Sequence, residues 1–421
     1  MPLERAKTLR TRQVHLDFHT SPTIAGIGKD FDKAEFAATA SRARVNSMTV
    51  FGRCHHGMAY YPSKVAPVHP GLDFDLLGAQ IESLHSAGIR APIYLTVTWD
   101  QHIGDVHPDW LQRKPDGGTY GGMPDVASWH WVSSAVPEYA DYLEAQVDEL
   151  FDLYGDEVDG FFWDIVMTGG EGDCHPLAIA KRVERGLPDT VAGRKQSDHI
   201  THRALMHRLS ERIADRKADA TVFYNSRFGL EFREEEASYS HVEIEALPTG
   251  GWGYGYFPLW ARYGRNFGFP YLGMTGRFHT HWGDFGALKE ASTLKFECGG
   301  IVANAGQCSI GDQLHPGGRL DPAVYDCIGE AYADVEALEP WTTGATALTE
   351  IALLLHTKSD SAQAGAAKVF LEEHWQFDAI DVQADFSRFR AIVVPDGFPD
   401  SPGLAEKLRG FVAAGGALVL G

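Results

Sequence analysis

The sequence predicts an α/β protein: a (β/α)8 TIM-like barrel followed by a smaller, Rossmann-like α/β unit. Three observations lead there. Eight short apolar runs alternate with amphipathic helical patterns, as parallel strands joined by crossover helices do. Polar side chains recur at nearly every C-terminal strand end, where a barrel gathers its chemistry. In the run VDGFFWD, Phe161, Phe162 and Trp163 lead straight into Asp164 before the glycine-rich TGGEGD. That is how a strand buried on both faces reads when it surfaces at a pocket.

The expected strands are QVHLDF (13–18), NSMTVF (46–51), APIYLTV (91–97), VDGFFWD (158–164), ATVFYN (220–225), HVEIEA (241–246), PYLGMT (270–275) and GIVANA (300–305). Helices are expected at 31–43, 74–87, 137–153, 196–216, 257–266, 287–297 and 321–338. Leu76, Leu77, Ile81 and Leu84, for example, share one face of the second. Asp30 before FDKAEF and Asp321-Pro322 before AVYDCIG read as helix starts. About fifteen residues separate the fifth and sixth strands, so the fifth helix is short or missing.

After Trp341 the register changes: IALLLH, a helical stretch, RAIVVPDG, a helix at 403–414 and GALVLG follow. Residues 1–344 are thus expected to form the barrel domain, and 345–421 a partial α/β domain that stops on its last strand.

A net charge of −20 over 421 residues argues against nucleic acid or an anionic membrane surface as partner. No apolar run is long enough for a membrane span. The start, MPLERAKTLRTRQ, lacks the apolar core of a signal peptide. Five scattered cysteines (54, 174, 298, 308 and 327) read as reduced thiols, so a cytoplasmic location is expected. The 10 Trp, 15 Tyr and 23 Phe suit a sugar-stacking pocket as well as a large core.

The strand ends supply His15, Asp17 and His19; His55 and His56; Trp99 and Asp100; Asp164; Asn225 and Arg227; Glu243 and Glu245; then His279, His281 and Trp282; then Asp312 and His315. Packing alone does not place polar groups so regularly. Two enzyme classes are open. A retaining glycosidase needs two carboxyls about 5–5.5 Å apart, one nucleophile and one acid/base. Asp164 and a Glu at the end of the sixth strand face each other across the barrel mouth. Histidines and Arg227 would keep Asp164 ionised, and aromatic surface such as Trp252 would keep the Glu protonated. Glu245 lies at the strand end and is preferred, with Glu243 one layer deeper as a binder.

The second class is a metal-dependent hydrolase, since His15-x-Asp17-x-His19 and His279-x-His281 have ligand spacing. The fourth strand offers no lysine to complete such a site, and histidines also hold sugar hydroxyls without metal. No cofactor is expected. A catalytically silent carbohydrate-binding protein is a third possibility. Tyr60, Tyr61 and Cys54 read equally well as packing, and EFREEEAS (231–238) as a solvated helix turn. KPDGGTYGG and TGGWGYG read as loops, not phosphate cradles.

Over residues 12–341 the chain resembles the retaining α-L-fucosidase superfamily. The resemblance is carried by QVHLDFH, CHHG, VDGFFWD and the Glu followed by WGY in EIEALPTGGWGY. It implies that Asp164 is the nucleophile, that Glu245 is the acid/base, and that His55, His56 and His15 or His19 hold the sugar hydroxyls. Trp99, Glu243, Trp252 and His279 complete the expected binding set. HHGMAYYPSKV and PYLGMTGRFHTHWG look like a less characterised branch of glycosyl hydrolases, whose members carry a β-galactosidase-trimerisation-like domain; residues 345–421 resemble it. The resemblance implies an exo-acting hydrolase of oligosaccharides or glycosides and a homo-oligomer, up to a trimer. A β-galactoside or α-L-arabinoside is the alternative substrate.

Overall fold

A computed structural model describes residues 3–7, 9–357 and 360–421; residues 1, 2 and 8 of the start discussed above lie outside them. Eight parallel strands surround one core: β1 (Arg12–Asp17), β2 (Ser47–Arg53), β3 (Ile93–Thr96), β4 (Gly160–Asp164), β5 (Thr221–Tyr224), β6 (Val242–Glu245), β7 (Tyr271–Gly276) and β8 (Gln307–Gln313). Their order is β5-β4-β3-β2-β1-β8-β7-β6, a nearly closed barrel. At the β5–β6 seam, Ser240 N–H donates to the Val222 carbonyl at 3.1 Å. Val222 N–H donates in turn to Ser240 Oγ at 2.7 Å.

The helices are α1 (Lys33–Arg42), α2 (Leu76–Ser86), α3 (Gln101–Val106), α4 (Pro137–Tyr154), α5 (Pro176–Glu184), α6 (Val191–Arg216), α7 (Phe232–Glu235), α8 (Tyr256–Gly264), α9 (Ala291–Val302) and α10 (Pro322–Thr342). Apolar spacing explains the long ones: Leu143, Val147 and Leu150 of α4 are all buried. The short α7 matches the expected weak fifth helix. Asp32, not Asp30, caps α1 by accepting the Glu35 N–H. α3 and α5, six and nine residues long, were not expected; each is too short for periodicity to declare.

One strand expectation is wrong. Residues 300–305 are the last turn of α9 and its exit, not a strand. A short apolar run does not tell a buried helix turn from a buried strand. The true β8 carries Gly311, where a Cβ would lie 2.7 Å from the Trp282 indole. Room for that ring costs the strand its apolar signature.

The second sheet is β9 (Ile351–Leu354), β10 (Phe377–Ile380), β11 (Ala391–Val394) and β12 (Ala417–Leu420), with α11 (Ser361–Glu372) and α12 (Leu404–Ala413). Its strands are parallel in the order β10-β9-β11-β12; β10 was not anticipated. Leu353, Leu355, Phe377 and Ala379 join the barrel's apolar core. Arg265 Nε donates to Asp378 at 2.7 Å and Arg233 Nε to Asp381 at 2.6 Å, tying the sheet to the barrel beside α8 and α7.

Candidate active site

The C-terminal strand ends open on a cavity of about 910 Å³. Register brings its parts together, since Thr96 of β3 pairs with Asp164 of β4, and Asp17 of β1 with Gln313 of β8. His15, His19, His55, His56, Trp99, Asp164, Glu243, Glu245 and Trp252 all line it, as the sequence led us to expect. His279 does not. It is exposed, with Nε2 3.3 Å from the Leu288 carbonyl, and Trp282 lines the cavity in its place.

Asp164 and Glu245 come together through Asn225. Asn225 Nδ2 donates to Asp164 Oδ1 at 2.8 Å and to Glu245 Oε2 at 2.8 Å. Those two oxygens are therefore no farther apart than twice that length, 5.6 Å. With both protons of one amide in use, about 120° apart, the separation is about 5 Å. Burial pushes the Glu245 carboxyl up to about 7, with the nearby Asp164 charge adding to it against the Asn225 bond. Burial also raises Asp164, but Tyr94 Oη donates to its Oδ2 at 2.6 Å and Asn225 to its Oδ1. Asp164 thus has two donors on its charged form where Glu245 has one. Arg227 takes no part. It pairs with the buried Glu235 of α7, so EFREEEAS is not wholly solvated either.

Backbone geometry aims both strand ends. Ile165, directly after Asp164, has φ +56°, and Ser226, directly after Asn225, has φ +68°. A β-branched residue in that region is strained. Thr98 holds it there, donating to the Ile165 carbonyl through N–H at 2.9 Å and through Oγ1 at 2.5 Å.

Hydrogen bonds fix the histidine tautomers. Thr96 Oγ1 gives its one proton to the Trp99 carbonyl at 2.7 Å and lies 2.7 Å from His55 Nδ1. Of the two ring nitrogens His55 Nδ1 has the shorter contact and takes the proton, and Nε2 faces Tyr94 Oη at 3.3 Å and Asp164 Oδ2 at 3.5 Å. His19 is the reverse: its Nδ1 accepts the His55 N–H at 3.2 Å, so Nε2 carries the proton. The two rings stack at 4.0 Å. Burial, then neighbouring positive charge, holds His55 well below the usual imidazole range. Burial likewise lowers His19 and His56, each to about 4. His15 differs. Burial opposes its charge, but Asp17, with Oδ1 3.5 Å from Nε2, together with Asp164 and Glu243, outweighs it and raises the pKa. Among the described residues no three His, Cys, Asp or Glu groups are placed to hold a metal ion.

Four contributors were missed. Asn225 was recognised only as a strand end, Tyr94 sits mid-strand and reads as core, and Thr96 carries no motif. Trp129, 4.7 Å from the His55 ring, comes from the loop between α3 and α4. Its signal was the aromatic-rich SWHWV within that loop.

A barrel whose mouth holds two recessed carboxyls bridged by one amide belongs, in its class, to the glycoside-hydrolase-like TIM barrels. The comparisons with known proteins agree. A family described as hypothetical glycosyl hydrolase 6 matches residues 32–165. The structure is similar to α-L-fucosidase isoenzyme 2 from Paenibacillus thiaminolyticus, at 38% identity and a TM-score of 0.91, over 98% of this chain. This chain spans 64% of that fucosidase's length. The resemblance to α-L-fucosidases read from the motifs therefore stands. The fold is also shared with β-galactosidases from Bacillus circulans sp. alkalophilus (14% identity, TM-score 0.74, 100% of this chain and 71% of that one) and Rahnella sp. R3 (13%, 0.75, 100% and 72%). No curated protein matches the chain. No helix of the described residues is long and apolar enough to cross a membrane.

Proposed function

We propose that the chain is a retaining exo-glycosidase that hydrolyses α-L-fucosides by double displacement, with residues 1–344 as the catalytic unit. The observation that carries this reading is the single Asn225 nitrogen donating to both Asp164 and Glu245, at a spacing suited to direct attack on one anomeric carbon. The 38% identical fucosidase supports the choice of sugar.

An Asp164 oxygen bonds to the anomeric carbon as the glycosidic C–O bond breaks, and Glu245 gives its proton to the departing oxygen. Glu245, now a carboxylate, takes a proton from water. The water oxygen bonds to the anomeric carbon and Asp164 is released. The His55 Nε2 lone pair accepts from a sugar hydroxyl and His19 Nε2–H donates to another. His56, Trp99 and Glu243 complete the glycone site, and His15, its pKa raised by the surrounding carboxylates, lies beneath them. Five free thiols support a cytoplasmic location, and the trimerisation-like unit at 345–421 supports a homo-oligomer.

The test is azide rescue on activated and unactivated fucosides. Asp164→Asn should lose nearly all turnover. Glu245→Ala should lose least on good leaving groups, and azide should restore one or both variants. A screen with β-galactosides and α-L-arabinosides, with and without chelator, runs beside it; cleavage of only those sugars, or chelator-sensitive turnover, overturns the reading.

A further inference from the structure

Double displacement fixes the direction in which a leaving group departs. It leaves opposite the nucleophile and beside the acid, because the acid protonates its oxygen. In this barrel, a path away from Asp164 and past Glu245 runs to the loop between β6 and α8. The two sides of the cavity differ in chemistry. The β1–β3 side carries the histidines and Asp17, suited to a ring rich in hydroxyls. The β6 side carries Trp252, a wall of the cavity that is still 37% exposed, and Tyr256 lines the cavity as well. The cavity's 910 Å³ leaves room beyond a single pyranose ring.

The loop bearing Trp252 is TGGWGYG, with Gly251 at φ +106° and Gly253 at φ +75°. Such a segment does not hold an aromatic platform in place unaided. The anchor is Tyr254. Its hydroxyl donates to Glu297 Oε1 at 3.1 Å, and its ring packs edge-on against Phe296 at 5.7 Å. Glu297 is itself fixed: the fully buried Lys289 Nζ donates to both its oxygens at 2.9 Å, and Thr275 Oγ1 donates at 2.6 Å. A buried ion pair of this kind rigidifies what it touches, and its link to the β6–α8 loop is the hydroxyl of Tyr254, a residue 48% exposed that stands behind Trp252 in the chain and does not itself line the cavity.

We infer that the β6–α8 loop is the leaving-group subsite, with Trp252 stacking on a ring of the aglycone and Tyr254 positioning it through the Lys289–Glu297 pair. The inference rests on the glycosidase reading and names its substrate class: fucosides whose leaving group is itself a sugar ring, rather than a small alcohol.

The experiment compares kcat/KM for α-L-fucosyl-(1→3)-N-acetylglucosamine and for α-L-fucosyl fluoride, whose one-atom leaving group is too short to reach Trp252. Trp252→Ala should lower the disaccharide value about tenfold more than the fluoride value, chiefly in KM. Tyr254→Phe, which keeps the ring and loses only the anchor, should shift the same ratio several-fold. Equal losses on both substrates, or none, overturn the subsite while leaving the glycosidase reading intact. A wild-type protein that turns over neither fucoside overturns that reading, and the subsite with it.

Discussion

Asp164 and Glu245 accept hydrogen bonds from one and the same nitrogen, Asn225 Nδ2, each at 2.8 Å. A single amide therefore sets the gap between the two acids and lowers their mutual repulsion. Asn225→Ala should cut kcat about 10²-fold, the scale of losing one preorganised donor. Asn225→Asp, which brings a third carboxyl, should cut it further. Steady-state kinetics on an activated fucoside reads both; an Asn225→Ala enzyme with unchanged kcat would contradict the role.

Activity should fall as pH rises through about 7, because Glu245 must hold a proton to deliver and burial sets its pKa near that value. The acid limb belongs to Asp164, which has to be ionised to attack. In Glu245→Gln, measured on a substrate with a good leaving group, the alkaline limb should vanish and the acid limb remain.

The same carboxyl carries a stability signature. Between its ordinary 4.5 and about 7, folded Glu245 holds a proton that the unfolded chain has lost. Its contribution to stability is thus full below 4.5 and is lost as pH rises through 7. Glu245→Gln stays neutral throughout. After allowance for partial exposure, it should be more stable than wild type by on the order of 2 kcal/mol at pH 8, and by nothing at pH 4. Denaturant melts at the two pH values decide.

Thr96 dictates which His55 nitrogen is protonated. Thr96→Val removes the acceptor at 2.7 Å from Nδ1, so the proton is free to move to Nε2, where the sugar hydroxyl should donate. KM should rise about tenfold with a smaller change in kcat. NMR of the imidazole nitrogens should show Nδ1–H in wild type and a mixed tautomer in the variant.

How much of this was legible beforehand depends on what each residue signals locally. Seven of eight barrel strands were readable because each is an apolar run between turn residues. β8 was not, because Gly311 makes space for Trp282 and the last turn of α9 imitates a strand. Asp164, Glu245 and the His pair announced themselves as polar groups at the ends of apolar runs. His279 did so as well, but the loop after β7 turns it outward. Arg227 was assigned to Asp164 because sequence gives no hint that Glu235, eight residues on, is buried against it. Asn225, Tyr94 and Thr96 matter through partners 20 to 70 residues distant, which no local pattern reveals.

Isoleucine at position 165 turns ordinary protein engineering on its head. Replacing it with glycine would release about 1 kcal/mol of backbone strain and give up the contacts of a half-buried side chain and the entropy of a freer unfolded chain. It would also hand the preceding carboxylate a swivel. A thermostability screen should therefore find Ile165→Gly close to wild type, and an assay of turnover on the same clone should score it as a loss.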